Sequence, residues 1–416
     1  MWKIIILCTM SLVTADQATF HNYKVFKIAT TTKKQAELLN QLTDKPDGFS
    51  FWKDPFVNKV AELMVAPHKL SEFHEIMTQI QALYEIYIEN VQELINRTMS
   101  TCASRFDFKS YHTLDTIHKK MDDLEKKHPD KVQTVVGGKS YEGRPIKGVK
   151  VSFKPNNPGI FIEGGIHARE WISPATVMYI LHQLLTSNNP EVRALAESHD
   201  WYIFPSFNPD GYVYTHTTNR LWRKTRKRYT NKCYGSDPNR NWAYQWNTGG
   251  SSNSPCSDIY AGDAPFSEIE TKSMSQYIRS ISDKFYAYIS FHSYSQYLMF
   301  PYGHTKDHLE NYQDLYAIAS KSIAALNKRY GTEYYTGNTA EMVGIASGGS
   351  VDYVKGIFHI PIVYVYELRD RGRYGFLLPS DQIIPTGEET LDSLVAMFKA
   401  AKALGYPKNN SSRLNF

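Results

Sequence analysis

The stretch Gly164-Gly165-Ile166-His167-Ala168-Arg169-Glu170-Trp171-Ile172-Ser173-Pro174 follows the apolar run Gly159-Ile160-Phe161-Ile162. The run reads as a buried strand, and Ser173-Pro174 reads as the N-cap and first position of a helix. Between them the chain makes a tight strand-to-helix turn, where two glycines let the backbone bend. His167 and Glu170, three residues apart, lie in that turn with Arg169. Strands alternating with helices from Tyr111 onward predict an α/β domain with a largely parallel sheet, whose ligands gather at the carboxyl ends of the strands.

Two further strands end on polar groups of the same kind. Phe285-Tyr286-Ala287-Tyr288-Ile289-Ser290-Phe291 runs into His292, and Ile362-Val363-Tyr364-Val365-Tyr366 runs into Glu367. A lone His-x-x-Glu arises often on surfaces, and a strand histidine is commonly a satisfied core residue. Together, His167, Glu170 and His292 match the two-His, one-Glu set with which a catalytic zinc is held, one position staying open. Glu367 precedes Leu368-Arg369-Asp370, so it is either the partner of Arg369 in a salt bridge or a general base beside a metal. Arginines recur nearby in sequence: Arg169, then Arg223 and Arg226 in Leu221-Trp222-Arg223-Lys224-Thr225-Arg226, then Arg240 in Asp237-Pro238-Asn239-Arg240. Planar guanidinium groups pair with carboxylates, so such a pocket suits a substrate with a free carboxylate.

The chain has 416 residues, more than one usual domain needs. Residues 1–15 hold one lysine and an apolar run from Ile4 to Val13, which reads as a secretory signal peptide rather than a membrane span. Residues 16–97 alternate β-rich runs (Tyr23 to Ile28, Phe49 to Trp52, Tyr84 to Ile88) with helical patterns (Lys33 to Leu42, Leu70 to Ile80), a small α+β module. From Asn96 to Ser110 the chain is polar and without periodicity, so 98–110 reads as an exposed linker, with Arg97 and Arg105 open to a trypsin-like protease. The α/β pattern occupies 111–407, and no later stretch is apolar enough to cross a membrane. Cys233 and Cys256 flank a loop rich in Ser, Asn, Gly and Tyr, a pairing suited to an oxidising compartment; Cys102 is left over. Sequons at Asn96, Asn409 and Asn410 agree with secretion. The formal charge of +5 is modest, and the basic run Arg220 to Arg228 reads as a solvated face or, alternatively, a nucleic-acid contact, for which no accompanying motif is present.

Nearly everything after residue 15 resembles the zinc metallocarboxypeptidases of the pancreatic carboxypeptidase A and B type, secreted zymogens. The resemblance runs through Tyr111-His112-Thr113-Leu114-Asp115, the His167 turn, Asn208-Pro209-Asp210-Gly211-Tyr212, the Trp222 to Arg226 run, Asn239-Arg240-Asn241-Trp242, Phe291-His292-Ser293-Tyr294-Ser295, Ala346-Ser347-Gly348-Gly349-Ser350, Glu367-Leu368-Arg369-Asp370 and Tyr374-Gly375-Phe376-Leu377-Leu378-Pro379. It implies an α/β/α sandwich with a mixed, largely parallel central sheet behind a small α+β activation domain. It also implies one zinc ion on His167, Glu170 and His292, with Glu367 as general acid/base and Arg226 stabilising the oxyanion. Asn239 and Arg240 would clamp the terminal carboxylate, and Arg169, Arg223, Ser293, Tyr294 and Phe376 would line the subsites. The implied partners are a peptide or protein C-terminus and an activating trypsin-like protease, for a monomer that binds neither membrane nor nucleic acid.

One position departs from the family. A mobile tyrosine stands there six residues before the serine of the Gly-Gly-Ser turn, and this chain has Gly344, between Val343 and Ile345. The stretch from that serine to Glu367 is also one residue longer. A catalytically weak binding homologue is therefore the rival from another class. In the family the residue just after that serine forms the pocket floor and sets side-chain preference; here it is Val351, so the resemblance implies a preference for apolar or aromatic C-terminal residues. Thr339 and Val365, at further pocket positions, leave another C-terminal preference as the rival within the enzyme class.

Overall fold

The computed structural model describes residues 17–44, 47–99 and 106–408. The expected leader 1–15, Cys102, Arg105 and the sequons at Asn409 and Asn410 lie outside the described residues.

Twelve strands occur among the described residues: β1 (Lys24–Thr30), β2 (Phe49–Lys53), β3 (Lys59–Val65), β4 (Tyr84–Ile88), β5 (Val132–Lys139), β6 (Pro145–Val151), β7 (Gly159–Gly164), β8 (Asp200–Phe204), β9 (Phe285–Ser293), β10 (Tyr297–Phe300), β11 (Tyr335–Asn338) and β12 (Ile362–Leu368). The last eight form one sheet in the order β11-β10-β12-β9-β7-β8-β6-β5. Its centre, β12-β9-β7-β8, is parallel throughout, with antiparallel strands added toward both edges. Strands buried on both faces read as unbroken apolar runs, and every residue of β7 and β9 is buried.

Period-two alternation divides those runs between two cores. Ile160, Ile162, Ile289, Phe291, Tyr364 and Tyr366 meet the helices Ile172–Thr186 and Ile383–Ala403 on one face. Phe161, Tyr288, Val363 and Val365 meet Ile269–Ser280 and Ser350–Phe358 on the other. The second face matters for function. Continuing its alternation places Glu163, Ser290, His292 and Glu367 on that same side, and the register pairs Glu367 with His292 and Glu163 with Ser290.

The first four strands form a separate antiparallel sheet, β2-β3-β1-β4. Phe26, Ile28, Leu63 and Phe73 fill the core between this sheet and its helices. A second cluster, holding Trp52, Ile88 and Val91, is completed by Leu221, Tyr294 and Phe376 of the large unit, so the small domain is seated on the large one.

Several expectations shift. Ser173 is not an N-cap, because the helix begins at Ile172. Its hydroxyl instead accepts from Gly165 N at 2.9 Å and donates to Phe291 O at 2.5 Å, tying the turn to β9. Gly165 has φ +67°, the left-handed conformation that favours glycine. The segment from Asn96 is helical to Met99, because Val91, Ile95 and Thr98 are buried at helical spacing; Arg97 lies in that helix's last turn. The basic run is no solvated face, since Arg220 and Lys224 are buried and Arg228 alone of its cations is exposed. Cys233 and Cys256 form the expected disulfide. No helix among the described residues is long and apolar enough to cross a membrane.

Candidate active site

The turn after β7 and the end of β9 bring His167, Glu170 and His292 together, all buried. Their ligand atoms lie within 4.8 Å of one another, the only such His/Cys/Asp/Glu group among the described residues. His167 Nδ1 is 2.8 Å from Glu170 Oε1, and His292 Nδ1 is 3.2 Å from Glu170 Oε2. Burial alone would raise the Glu170 carboxyl, but His167 and His292 hold it well below the ordinary carboxylate range. Burial would likewise lower His292, yet the Glu170 charge outweighs it and pushes the imidazole up to about 9. Burial and the neighbouring Arg223 charge hold the His167 imidazole below its ordinary value.

Asp237 fixes one imidazole. Its Oδ1 lies 3.2 Å from His167 Nε2, and an ionised carboxylate only accepts, so Nε2 carries the proton and Nδ1 turns to the cluster. Asp237 stays ionised, because Arg223 and His167 overcome the effect of its burial. Two imidazole nitrogens and a carboxylate are the donor set of a catalytic zinc, and these residues fit that ion.

A cleft of about 430 Å³ opens over this group, and Glu367, Arg223, Asn239, Arg240, Ser293, Tyr294, Val351 and Phe376 line it. Glu367 stands beside the donor trio without belonging to it. Burial raises its carboxyl to about 8 against the pull of His292. Its alternative role as partner of Arg369 is excluded, because Arg369 pairs with Glu389 and Gln382. Arg223 donates from Nε and Nη2 to Asp237 Oδ2 at 3.1 and 2.8 Å, leaving Nη1 at 3.8 Å from Glu170. Arg240 is braced by Gly250 O and Asn239 O, while Asn239 Oδ1 accepts from Ser350 N.

Arg226 is a correction. Its guanidinium stacks on Tyr214 at 3.6 Å and on Trp222 at 4.5 Å, with Glu142 as its nearest carboxylate, and it does not line the cleft. It lies three positions after Arg223 on a stretch without helical periodicity, so the two side chains diverge, and Arg223 is the one that lines the cleft. Arg169 borders a smaller adjoining pocket, with its Nη2 donating to Phe51 O and its guanidinium over Phe376.

Some contributors carried no motif. Arg220 donates to Arg169 O and Phe376 O, joining the metal turn to the opposite wall. The small N-terminal domain itself supplies Trp52, Asp54, Phe56 and Val60 to the cleft. Burial raises the Asp54 carboxyl although Arg240, Arg223 and Arg169 pull it down. Glu62 accepts from Tyr294 OH at 2.6 Å. Gly344 adopts φ +90°, and a Cβ built on it would overlap the Phe56 ring. The signal for Asp237 was present in Asp237-Pro238-Asn239-Arg240, an acid two residues from the clamp.

Residues 117–393 match the zinc carboxypeptidase family, and residues 26–98 match the carboxypeptidase activation peptide. Zinc carboxypeptidase A 1 of Anopheles gambiae is 46% identical over 412 residues, covering 97% of this chain and 95% of that protein. A zinc carboxypeptidase of Simulium vittatum is 53% identical over 298 residues, covering 71% of this chain and 98% of its own. Among solved structures, carboxypeptidase A from Helicoverpa armigera superposes with a TM-score of 0.84 at 28% identity, covering 93% of this chain and 99% of its own.

Proposed function

Because the chain belongs to the zinc carboxypeptidase family and carries its activation peptide, we propose that it is a secreted precursor. Once cut by a trypsin-like protease, it removes one residue at a time from peptide C-termini, apolar and aromatic residues first. The observation that carries this reading is one cleft holding the donor trio, a separate raised carboxyl and two arginines.

His167, Glu170 and His292 would hold the zinc. When bound, zinc supplies Lewis acidity, which lowers the pKa of water and polarises a carbonyl. Glu367 takes the proton of the attacking water and returns it to the leaving amine. Arg223, fixed by Asp237, donates to the carbonyl oxygen as it gains charge. Asn239 and Arg240 hold the terminal carboxylate of the substrate.

The preference rests on Val351, 6% exposed, with Val365 and Met299 beside it in the cleft. Thr339 donates its hydroxyl to Phe300 O, and the Asp352 carboxylate accepts from Gly303 N and faces His304. A Lys or Arg side chain would therefore be buried without a counter-charge, which is costly. Peptides ending in Phe, Tyr, Leu or Ile are expected to exceed those ending in Lys or Arg about 100-fold in kcat/KM. Val351→Asp narrows or inverts that ratio. Comparable rates on Phe-ended and Lys-ended peptides would remove Val351 as the determinant.

Latency rests on the activation domain walling the cleft with Trp52, Asp54, Phe56 and Val60. The uncut precursor is expected to show no turnover of a small substrate, and cleavage after Arg97 or Arg105 is expected to release it. Equal activity before and after cleavage, followed with a chromogenic dipeptide, would overturn this.

A further inference from the structure

His167 has Asp237 to set its tautomer, whereas His292 has no carboxylate on its Nε2. Ser290 Oγ stands there instead, 2.9 Å away. The same oxygen lies 2.5 Å from Glu163 Oε1. Glu163 is fully buried on β7, directly across from Ser290 in the sheet register. Tyr288 OH and Ser350 Oγ lie farther off, each 3.5 Å from the same Glu163 oxygen.

The place of Nδ1 sets the direction of this chain. His292 Nδ1 faces Glu170 and His167, at 3.2 and 3.1 Å, so as a metal ligand the imidazole carries its proton on Nε2. Nε2–H donates to Ser290 Oγ, and Ser290 passes its own hydroxyl proton on as a donor to Glu163 Oε1. We propose that Ser290 and Glu163 are positioning residues for His292, doing through a hydroxyl relay what Asp237 does directly for His167. Period-two alternation makes the relay possible, since 290 and 292 share a face of β9 and Glu163 occupies the neighbouring strand on that face. Neither Ser290 nor Glu163 lines the cleft.

The inference deepens the zinc reading and rests on it, so the test reads metal affinity in the full-length chain rather than turnover. Zinc affinity is measured by chelator competition for the parent, Ser290→Ala, Glu163→Gln and the double variant. Loss of an outer hydrogen-bond partner typically weakens metal binding 10- to 100-fold. Ser290→Ala is expected to fall in that range, and Glu163→Gln to weaken binding by about 10-fold. Because the carboxylate acts only through the hydroxyl, the double variant is expected to bind no more weakly than Ser290→Ala. Parent-like affinity in a variant with the parent's apo-protein melting curve overturns the relay, as do losses that multiply in the double variant. Should Ser290→Ala not fold, Glu163→Gln, which keeps the side-chain shape, decides alone: parent-like affinity refutes the proposal. A parent chain that binds no zinc would instead refute the zinc reading itself.

Discussion

Glu367→Gln in the activated protein is expected to lose about 10²- to 10⁴-fold in kcat, the range of general acid–base catalysis, with zinc content unchanged. Parallel register sets Glu367 opposite His292, so its carboxyl reaches the cleft beside the donor trio but contributes no ligand atom to it. Burial lifts that carboxyl to about 8, into the range where a group both takes and returns a proton near neutrality. An amide of the same shape keeps the packing and has no basic oxygen to receive the proton. Steady-state kinetics and metal analysis on the same sample check the prediction, and a parent-like kcat in the Gln variant would falsify the assignment.

Arg223→Ala is expected to lower kcat by about 10²- to 10³-fold, the usual cost of removing a donor to a developing oxyanion, while Arg226→Ala stays within about 3-fold of the parent. Asp237 grips Nε and Nη2 of Arg223 and holds its remaining nitrogen toward Glu170. Arg226 spreads over Tyr214 and Trp222, outside the cleft. Because Asp237 also orients His167, zinc content is measured in parallel, which separates loss of the donor from loss of the metal. A large drop for Arg226→Ala with little change for Arg223→Ala would reverse the two assignments.

The strands that carry the site could be read because a fully buried parallel strand is an unbroken apolar run, and His292 and Glu367 interrupt such runs at their ends. The pair Arg223 and Arg226 could not be resolved. Both lie on a loop with neither helical nor strand period, where sequence does not say which side chain turns inward; Asp237, distant in sequence, decides it. β3 went unread because Lys59 and Glu62 break its apolar pattern, and Glu62 is buried only because Lys53 and Tyr294 satisfy it. Asp54 and Phe56 reach the cleft through the docking of one domain on another, which local pattern does not encode.

The meeting of Gly344 and Phe56 has a consequence for anyone who would redesign this protein. The loop bearing Gly344 is screened twice, first by a precursor whose Phe56 packs against it and then by the mature protein, whose cleft its Met342, Val343 and Ala346 line. A side chain introduced at 344 to improve the mature catalyst collides with Phe56 before the catalyst exists, on a backbone whose φ of +90° already disfavours it. A variant library scored only on activity from expressed precursor would discard such substitutions for a fault of assembly. Position 344 therefore has to be varied together with position 56, or in protein supplied with its activation domain as a separate, altered chain.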